Sequence, residues 1–425
     1  MKKTHLFFTL VFISITTFGQ VNFDDHFFEK TLRFDYIHAG DKESEAYYFD
    51  EMIEEQYWGG SKNNLIDTLG LGNNMFELID IESKNVIYSR GYSTLFREWQ
   101  TTDEANITKR GIHETVVMPF PKKTSEIVIY SRDRNNSFVE RFRYQIDPKN
   151  YFIRKDNKHV FDNYQIEYSS EPASALDIVF IPDGYSIVEI EKFISDAERF
   201  RDYLFEYEPF KEFRDKINIW AVLAHSIESG IDNPAKGEYK KNIASTSFYT
   251  FDSERYVMTY DTKTVRDLAA NAPYDQIYIL SNSAKYGGGA IYNYYSATTV
   301  DHPSSKQVFV HELAHGFAGL ADEYFTSDVS YNEFYPTDVE PWEPNITTLV
   351  NFDSKWKSLL DEETPVPTPD TDEFENKIGV FEGGGYAAKS VFRSTRNSLM
   401  NSFSSNEFNA VCKQVLINTL KFYTQ

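Results

Sequence analysis

A chain of 425 residues with a formal net charge of −22, from 65 Asp and Glu against 43 Lys and Arg, is repelled by nucleic acid and by anionic membranes, which argues against both as partners. Its single cysteine, Cys412, excludes an intramolecular disulfide and any cysteine-rich structural metal site. With 41% hydrophobic residues, among them 35 Phe and 29 Tyr, the chain can fill two or three domain cores without covalent bridges.

The first twenty residues combine a basic start, Met1-Lys-Lys-Thr, an apolar middle and a small residue near the end, so residues 1–20 read as a secretory signal and the protein as secreted, to the periplasm, the cell surface or the medium. The apolar stretch is too short for a membrane span, and Asp24 and Asp25 follow it closely. No later segment is apolar enough to cross a bilayer.

Residues 21–147 alternate apolar and polar positions in short runs separated by turn signals. Strands are expected at Thr31–Ile37, Met75–Asp80, Val86–Ser89, Glu114–Met118, Glu126–Tyr130 and Phe138–Tyr144. This cadence predicts an all-β sandwich. His26, His38 and His113 are isolated within it and read as packing or surface residues. Residues 148–172 are polar and mixed and read as a linker.

From residue 173 the pattern changes. Ala175–Ile181 is a near-continuous apolar run ending in Pro182-Asp-Gly184, a buried strand entering a turn. Helical periodicity runs from Glu189 to Phe205, and further strands are expected at Ile217–Leu223 and Asp275–Leu280. The order implies an α/β domain with crossover connections, so the whole chain is expected to be α+β and multidomain. Gly287-Gly-Gly followed by alternating small and aromatic residues to Thr298 reads as a turn into an edge strand. Such a strand either closes the sheet or pairs its free backbone groups with an extended peptide.

The chemistry lies in Val308 to Tyr324. His311 and His315 are four residues apart, so on a helix both imidazoles leave one face and can grip one metal ion. Glu312 stands beside them as a candidate base toward water at the metal. Val310, Leu313, Ala314, Phe317 and Leu320 form a separate apolar face, and Ser304 with Gln307 resembles a capping box at the start. His-Glu-x-x-His in this setting is the arrangement of zinc hydrolases, and a catalytic zinc takes a third protein ligand. On a straight helix Asp322 would lie about 10 Å beyond His315 along the axis, far outside bonding range of a shared ion. Gly319 offers the left-handed residue that ends a helix and folds the chain back. Asp322 is then favoured as third ligand, with Glu323 its rival. Tyr324 is a candidate hydrogen-bond donor to a reaction intermediate.

Residues 326–375 are largely irregular and rich in proline and acid, as expected of a loop wrapping a cleft. Asp370-Thr-Asp372 lacks the further ligands and turn glycine of a calcium loop. Glu382-Gly-Gly-Gly-Tyr386 reads as a tight turn, and a terminal helix is expected over Ser405–Tyr423.

Leu176-Asp-Ile-Val-Phe-Ile-Pro-Asp-Gly-Tyr185, Pro209-Phe210, Glu228-Ser-Gly-Ile-Asp232, the His311 to Tyr324 segment and Ser398-Leu-Met400 together resemble the IgA peptidase family of zinc metallopeptidases. The likeness runs from Ala175 to the end and is sharpest in the metal helix. It implies a zincin-like catalytic domain over 173–425, preceded by the family's β-sandwich. Ser398-Leu-Met400 resembles the methionine turn beneath the metal of metzincin-type enzymes, which carry the third ligand one position nearer the second histidine than Asp322. The expectation is a secreted zinc endopeptidase with His311, His315 and Asp322 on Zn2+, Glu312 as base, Tyr324 assisting, and a protein or glycoprotein substrate. A zinc amidase acting on cell-wall peptides, or a binding protein with a vestigial site, would use the same residues.

Overall fold

The computed structural model describes residues 21–325 and 334–425. The signal-like residues 1–20 and the first part of the cleft loop, 326–333, lie outside the described residues.

A single turn, α1 (Phe23–His26), leads into β1 (Phe27–Gly40) and β2 (Glu45–Glu55), followed by β3 (Asn74–Asp80), β4 (Val86–Tyr92), the short helix α2 (Leu95–Trp99), β5 (Arg110–Pro121), β6 (Ser125–Arg132) and β7 (Phe138–Ile146). They form two antiparallel sheets, ordered β2-β1-β5 and β4-β3-β6-β7. Inward positions from both sheets, including Leu32, Phe34, Met52, Phe76, Leu78, Met118, Ile127 and Ile129, share one core, which makes the unit a β-sandwich. His38 belongs to its packing: the ring is fully buried, 4.1 Å from Tyr47 and 4.0 Å from Phe96 between ring centres. His113 is partly exposed beside Asp50.

The stretch expected to be a linker carries β8 (Asn163–Glu167), which pairs antiparallel with β10 and forms one edge of the second sheet. Only Ile166 in it is buried, so its sequence is polar enough to pass for connecting chain. β9 (Leu176–Asp183), α3 (Ile190–Leu204), β10 (Ile217–Val222), α4 (Thr262–Ala269), β11 (Gln276–Ser281), β12 (Gly288–Ile291), β13 (Tyr295–Thr299) and α5 (Ser305–Ala318) follow. The six-stranded sheet has the order β12-β13-β11-β9-β10-β8; β13, β11, β9 and β10 are parallel and the two edges antiparallel. β14 (Ile346–Thr347), β15 (Phe381–Gly384) and β16 (Ala387–Arg393) form a small antiparallel sheet, and α6 (Ala410–Thr424) closes the chain. Gly383 and Gly384 end β15 and Gly385-Tyr386 make the hairpin turn into β16, and the last helix begins five residues later than expected, capped by Asn409.

β9 is buried on both faces. Leu176, Ile178 and Phe180 pack with α3, α5 and α6, whereas Val179 and Ile181 face α4 and the sandwich. The second cluster joins Leu95, Phe96, Trp99 and Ile112 of the sandwich to Val265 and Leu268 of α4 and to the sheet. A buried ionic group completes this seam. Arg33, 1% exposed, donates to Asp267 Oδ1 at 2.7 Å and lies beside Asp35 and Glu55, while Arg266 Nε donates to Thr115 Oγ1 at 2.8 Å. Among the described residues no helix is long and apolar enough to cross a membrane.

Candidate metal centre and cleft

α5 buries Val310, Leu313, Ala314 and Phe317 and turns His311 and His315 toward a cleft of about 700 Å³. Ser304 is the N-cap, but its side chain makes no capping bond, so the expected capping box is not formed; its backbone N–H donates instead to His302 Nδ1 at 3.1 Å. The C-terminus behaves as the sequence suggested. Gly319 takes φ +61, its N–H bonds to His315 O at 3.0 Å, and the chain folds back.

His311 Nδ1 donates to Leu399 O at 3.1 Å, and His315 Nδ1 donates to Leu320 O. A carbonyl only accepts, so both protons sit on Nδ1, and in neutral rings both Nε2 atoms present lone pairs. Those two atoms face each other at 3.0 Å, and Asp322 Oδ1 lies 3.0 Å from one and 3.4 Å from the other. Three lone pairs converging this closely repel one another unless a proton or a metal cation lies between them. Donors at about 2.0–2.1 Å from one tetrahedral zinc stand roughly 3.3 Å apart, which this triangle matches. Asp322 Oδ1 is buried and accepts no hydrogen bond among the described residues, as suits an oxygen kept for a metal. Burial opposes charge on both partners, but their mutual attraction outweighs it: His315 is raised to about 9 and Asp322 is held well below the usual carboxylate range.

Segment 320–324 is held from three sides. Asn345 exchanges hydrogen bonds with Ala321 N and O at 2.7 and 2.9 Å; Gly385 N and Tyr386 N donate to Asp322 O and Tyr324 O at 2.9 and 3.0 Å; Glu323 N donates to Met400 O at 2.8 Å. Tyr386 also donates its hydroxyl to Asp322 Oδ2. Glu323 points away from the histidines into a buried nest formed by Ser398 Oγ, Asn345 Nδ2, Asn409 Nδ2 and Cys412 Sγ, where burial raises its pKa. Of the two acidic rivals, Asp322 is the one brought to the histidines. Ser398-Leu399-Met400 runs beneath the site, with Leu399 orienting His311 and Met400 fully buried.

The Glu312 carboxylate faces the cleft with no hydrogen-bond partner among the described residues, and burial raises its pKa. Gly288 makes room for it, since a Cβ there would stand 3.1 Å from Glu312 Oε1. The Tyr324 hydroxyl accepts from Arg255 Nη2 at 3.3 Å.

Two family matches cover these elements. One, IgA Peptidase M64, spans residues 164–377 and 370–420; the other, Peptidase M64 N-terminus, spans residues 22–143. The chain belongs to the IgA peptidase M64 family. Nothing among curated proteins matches it. Membership makes the chain a metallopeptidase, and the His311, His315 and Asp322 group, whose ligand atoms all lie within 4.8 Å of one another, supplies a triad able to hold the metal.

In this M64 peptidase the glycine-rich segment forms β12, the edge strand beside α5. Its outer edge is partly taken. Gly288 N donates to Arg255 O and Gly288 O accepts from Val257 N, both at 3.1 Å. By the alternation of an antiparallel ladder, Ala290 is the next residue to turn its N–H and C=O outward, and no bond is made to them among the described residues. The edge therefore closes the sheet at one residue and remains open at another. Tyr386, Asn345 and Arg255 escaped sequence reasoning: each acts from a distant loop, and only the glycines before Tyr386 hinted at a special turn. His225 and His302 do not join the triad.

Proposed function

We propose that this M64 peptidase is a secreted zinc endopeptidase that cleaves extracellular proteins or glycoproteins, with His311, His315 and Asp322 as zinc ligands. The observation that carries this reading is the convergence of three ligand atoms beside a Glu312 carboxylate that no hydrogen-bond donor among the described residues engages. Two imidazoles and one carboxylate form a donor set suited to a catalytic zinc. Zinc bound there would act as a Lewis acid that polarises the peptide carbonyl and acidifies water.

The chain's own groups do the rest. Glu312 accepts a proton from the attacking water as its oxygen bonds to the carbonyl carbon, then delivers that proton to the leaving amine as the C–N bond breaks. Burial raises its proton affinity, which helps it act in both directions. Tyr324, oriented by Arg255, can donate its hydroxyl proton to the oxygen that gains charge. Residues 1–20 support secretion by composition. Residues 21–147 serve as the sandwich, and the catalytic domain runs from β8, residue 163, to 425.

Metal analysis paired with an internally quenched peptide library tests this reading. Glu312→Gln keeps one equivalent of zinc and loses about 10²–10⁴-fold in kcat. An equally active variant removes Glu312 as base, and a wild-type protein that takes up no zinc removes the metal centre.

A further inference from the structure

One wall of the cleft comes from the sandwich. Ser93, Thr94, Glu98 and Thr101, at and around α2, line the same space as Glu312 and His315. This wall is fastened to the far end of β12: Ser93 N donates to Tyr292 O at 2.9 Å, and Asn293 Nδ2 donates to Gly91 O at 2.8 Å. Trp342 Nε1 donates to Asn73 Oδ1 at 2.9 Å and ties the cleft loop to the same wall. An extended substrate lying along Ala290 therefore passes in front of α2.

Glu98 is the acidic group on that wall. Its Oε1 accepts from Tyr256 Oη at 2.5 Å, and the Tyr256 ring lies so close over Gly289 that a Cβ there would stand 2.4 Å from it. The carboxylate is thereby fixed above the open edge of β12. Its second oxygen has no hydrogen-bond or ion-pair partner among the described residues. The neighbouring cation, Arg97, is committed elsewhere, to Gln100 and to the Arg132 carbonyl. Burial pushes Glu98 up to about 7 against the pull of the Tyr256 hydrogen bond and of His315, with Glu312 and Asp322 adding repulsion. A cation arriving in the cleft would relieve this, and a protein of net charge −22 draws cations toward it.

We propose that Glu98, supplied by the sandwich, is a specificity residue of the peptidase site that receives a positively charged group of the substrate next to the scissile bond. The group is a lysine or arginine side chain of an internally cut chain, or a free α-amine, in which case the peptidase removes amino-terminal residues instead of cutting internally. This rests on the peptidase reading above, and it makes the sandwich part of the substrate site.

The test compares quenched peptides that differ only in Lys against norleucine near the cleavage point, each with a free or an acetylated amino terminus. Assays run at about pH 8, where Glu98 is mostly ionised. In the zinc-loaded wild type, kcat/KM favours the charged member of one pair, and that preference weakens as salt is raised. In Glu98→Gln the preference falls at least about tenfold, and Glu98→Asp, which keeps the charge, restores part of it. A loss confined to the Lys and norleucine pairs assigns the side chain; a loss confined to the free and acetylated pairs assigns the α-amine. Thermal unfolding of each variant verifies the fold, and if Glu98→Gln does not fold, the wild-type preference and its salt dependence decide. A wild type that cleaves peptides without charge preference, or a Glu98→Gln that keeps the preference, overturns the inference and leaves the peptidase reading standing. A zinc-loaded wild type inactive on every peptide overturns both.

Discussion

Gly319 ends the metal helix at φ +61, and alanine there meets two separate penalties. The left-handed conformation costs an L-residue about 1–2 kcal/mol. The new methyl would also stand 2.7 Å from Trp342 Cζ3 and 3.3 Å from Tyr292 Cδ2, an overpacking of about 1–3 kcal/mol in a site with little room to give. Gly319→Ala should therefore destabilise the protein by about 2–5 kcal/mol. Gly237→Ala is the matched control: φ is +67, but nothing lies within 4 Å of its Cβ, so only the backbone term of about 1–2 kcal/mol applies. Guanidinium unfolding of both variants measures the difference. The excess at 319 should shrink when Trp342 is also replaced by leucine, a non-additivity expected only if the ring is what the methyl strikes. Function should follow geometry, because Asp322 reaches the histidines only through this turn. Zinc affinity, read by competition with a chromophoric chelator, should fall at least about tenfold in Gly319→Ala and stay unchanged in Gly237→Ala. Equal stability loss and equal zinc affinity in the two variants would refute the account of the fold-back.

The adjacent acids should separate cleanly. Asp322→Asn is expected to lose zinc affinity by at least about a hundredfold with little change in melting temperature. Glu323→Gln turns an amide donor into a nest made of donors, so it should destabilise by about 1–3 kcal/mol and disturb zinc only through the fold. The reverse pattern would move the third ligand to Glu323. The third prediction concerns pH. Glu114 is fully buried, accepts from Phe96 N at 2.9 Å, and burial raises it to about 8 from 4.5. Between those values the folded state binds more protons than the unfolded one, so this group's stabilising contribution is complete below about 4.5 and is lost as pH rises through about 8. Glu114→Gln removes that loss, so its stability relative to wild type should climb by several kcal/mol between about pH 5 and pH 8 in paired denaturation curves. A constant difference across that range would show that Glu114 is already ionised in the fold.

Where one surface of a segment meets one core, the sequence announced it. The metal helix, α3 and most sandwich strands bury regular apolar faces, β9 is apolar throughout because both its faces are buried, and the fold-back to Asp322 followed from Gly319 alone. The misses lie where the two halves meet or where an element is short. α2 has five residues, too few to show a period, although Thr94 caps it by accepting from Arg97 N at 3.1 Å. α4 spends Arg266 and Asp267 on the buried ionic seam, which dilutes its apolar stripe. β2 shifts register against β1 between Asp35 and Tyr36, which breaks its alternation, and β8 is a polar edge. The parts of the site that were missed, Tyr386, Asn345 and Glu98, come from other regions of the chain, so no local pattern could connect them to the histidines.

The apolar seam that joins α2 and β5 to β9 and α4 has a consequence for how such a molecule can be handled and inherited. Stripping away the first 143 residues would take Leu95, Phe96, Trp99 and Ile112 out of the shared core and leave Asp267 without Arg33, so the hydrolytic half would be expected to clump rather than stand alone. The two halves are obliged to be made, to unfold and to diverge together.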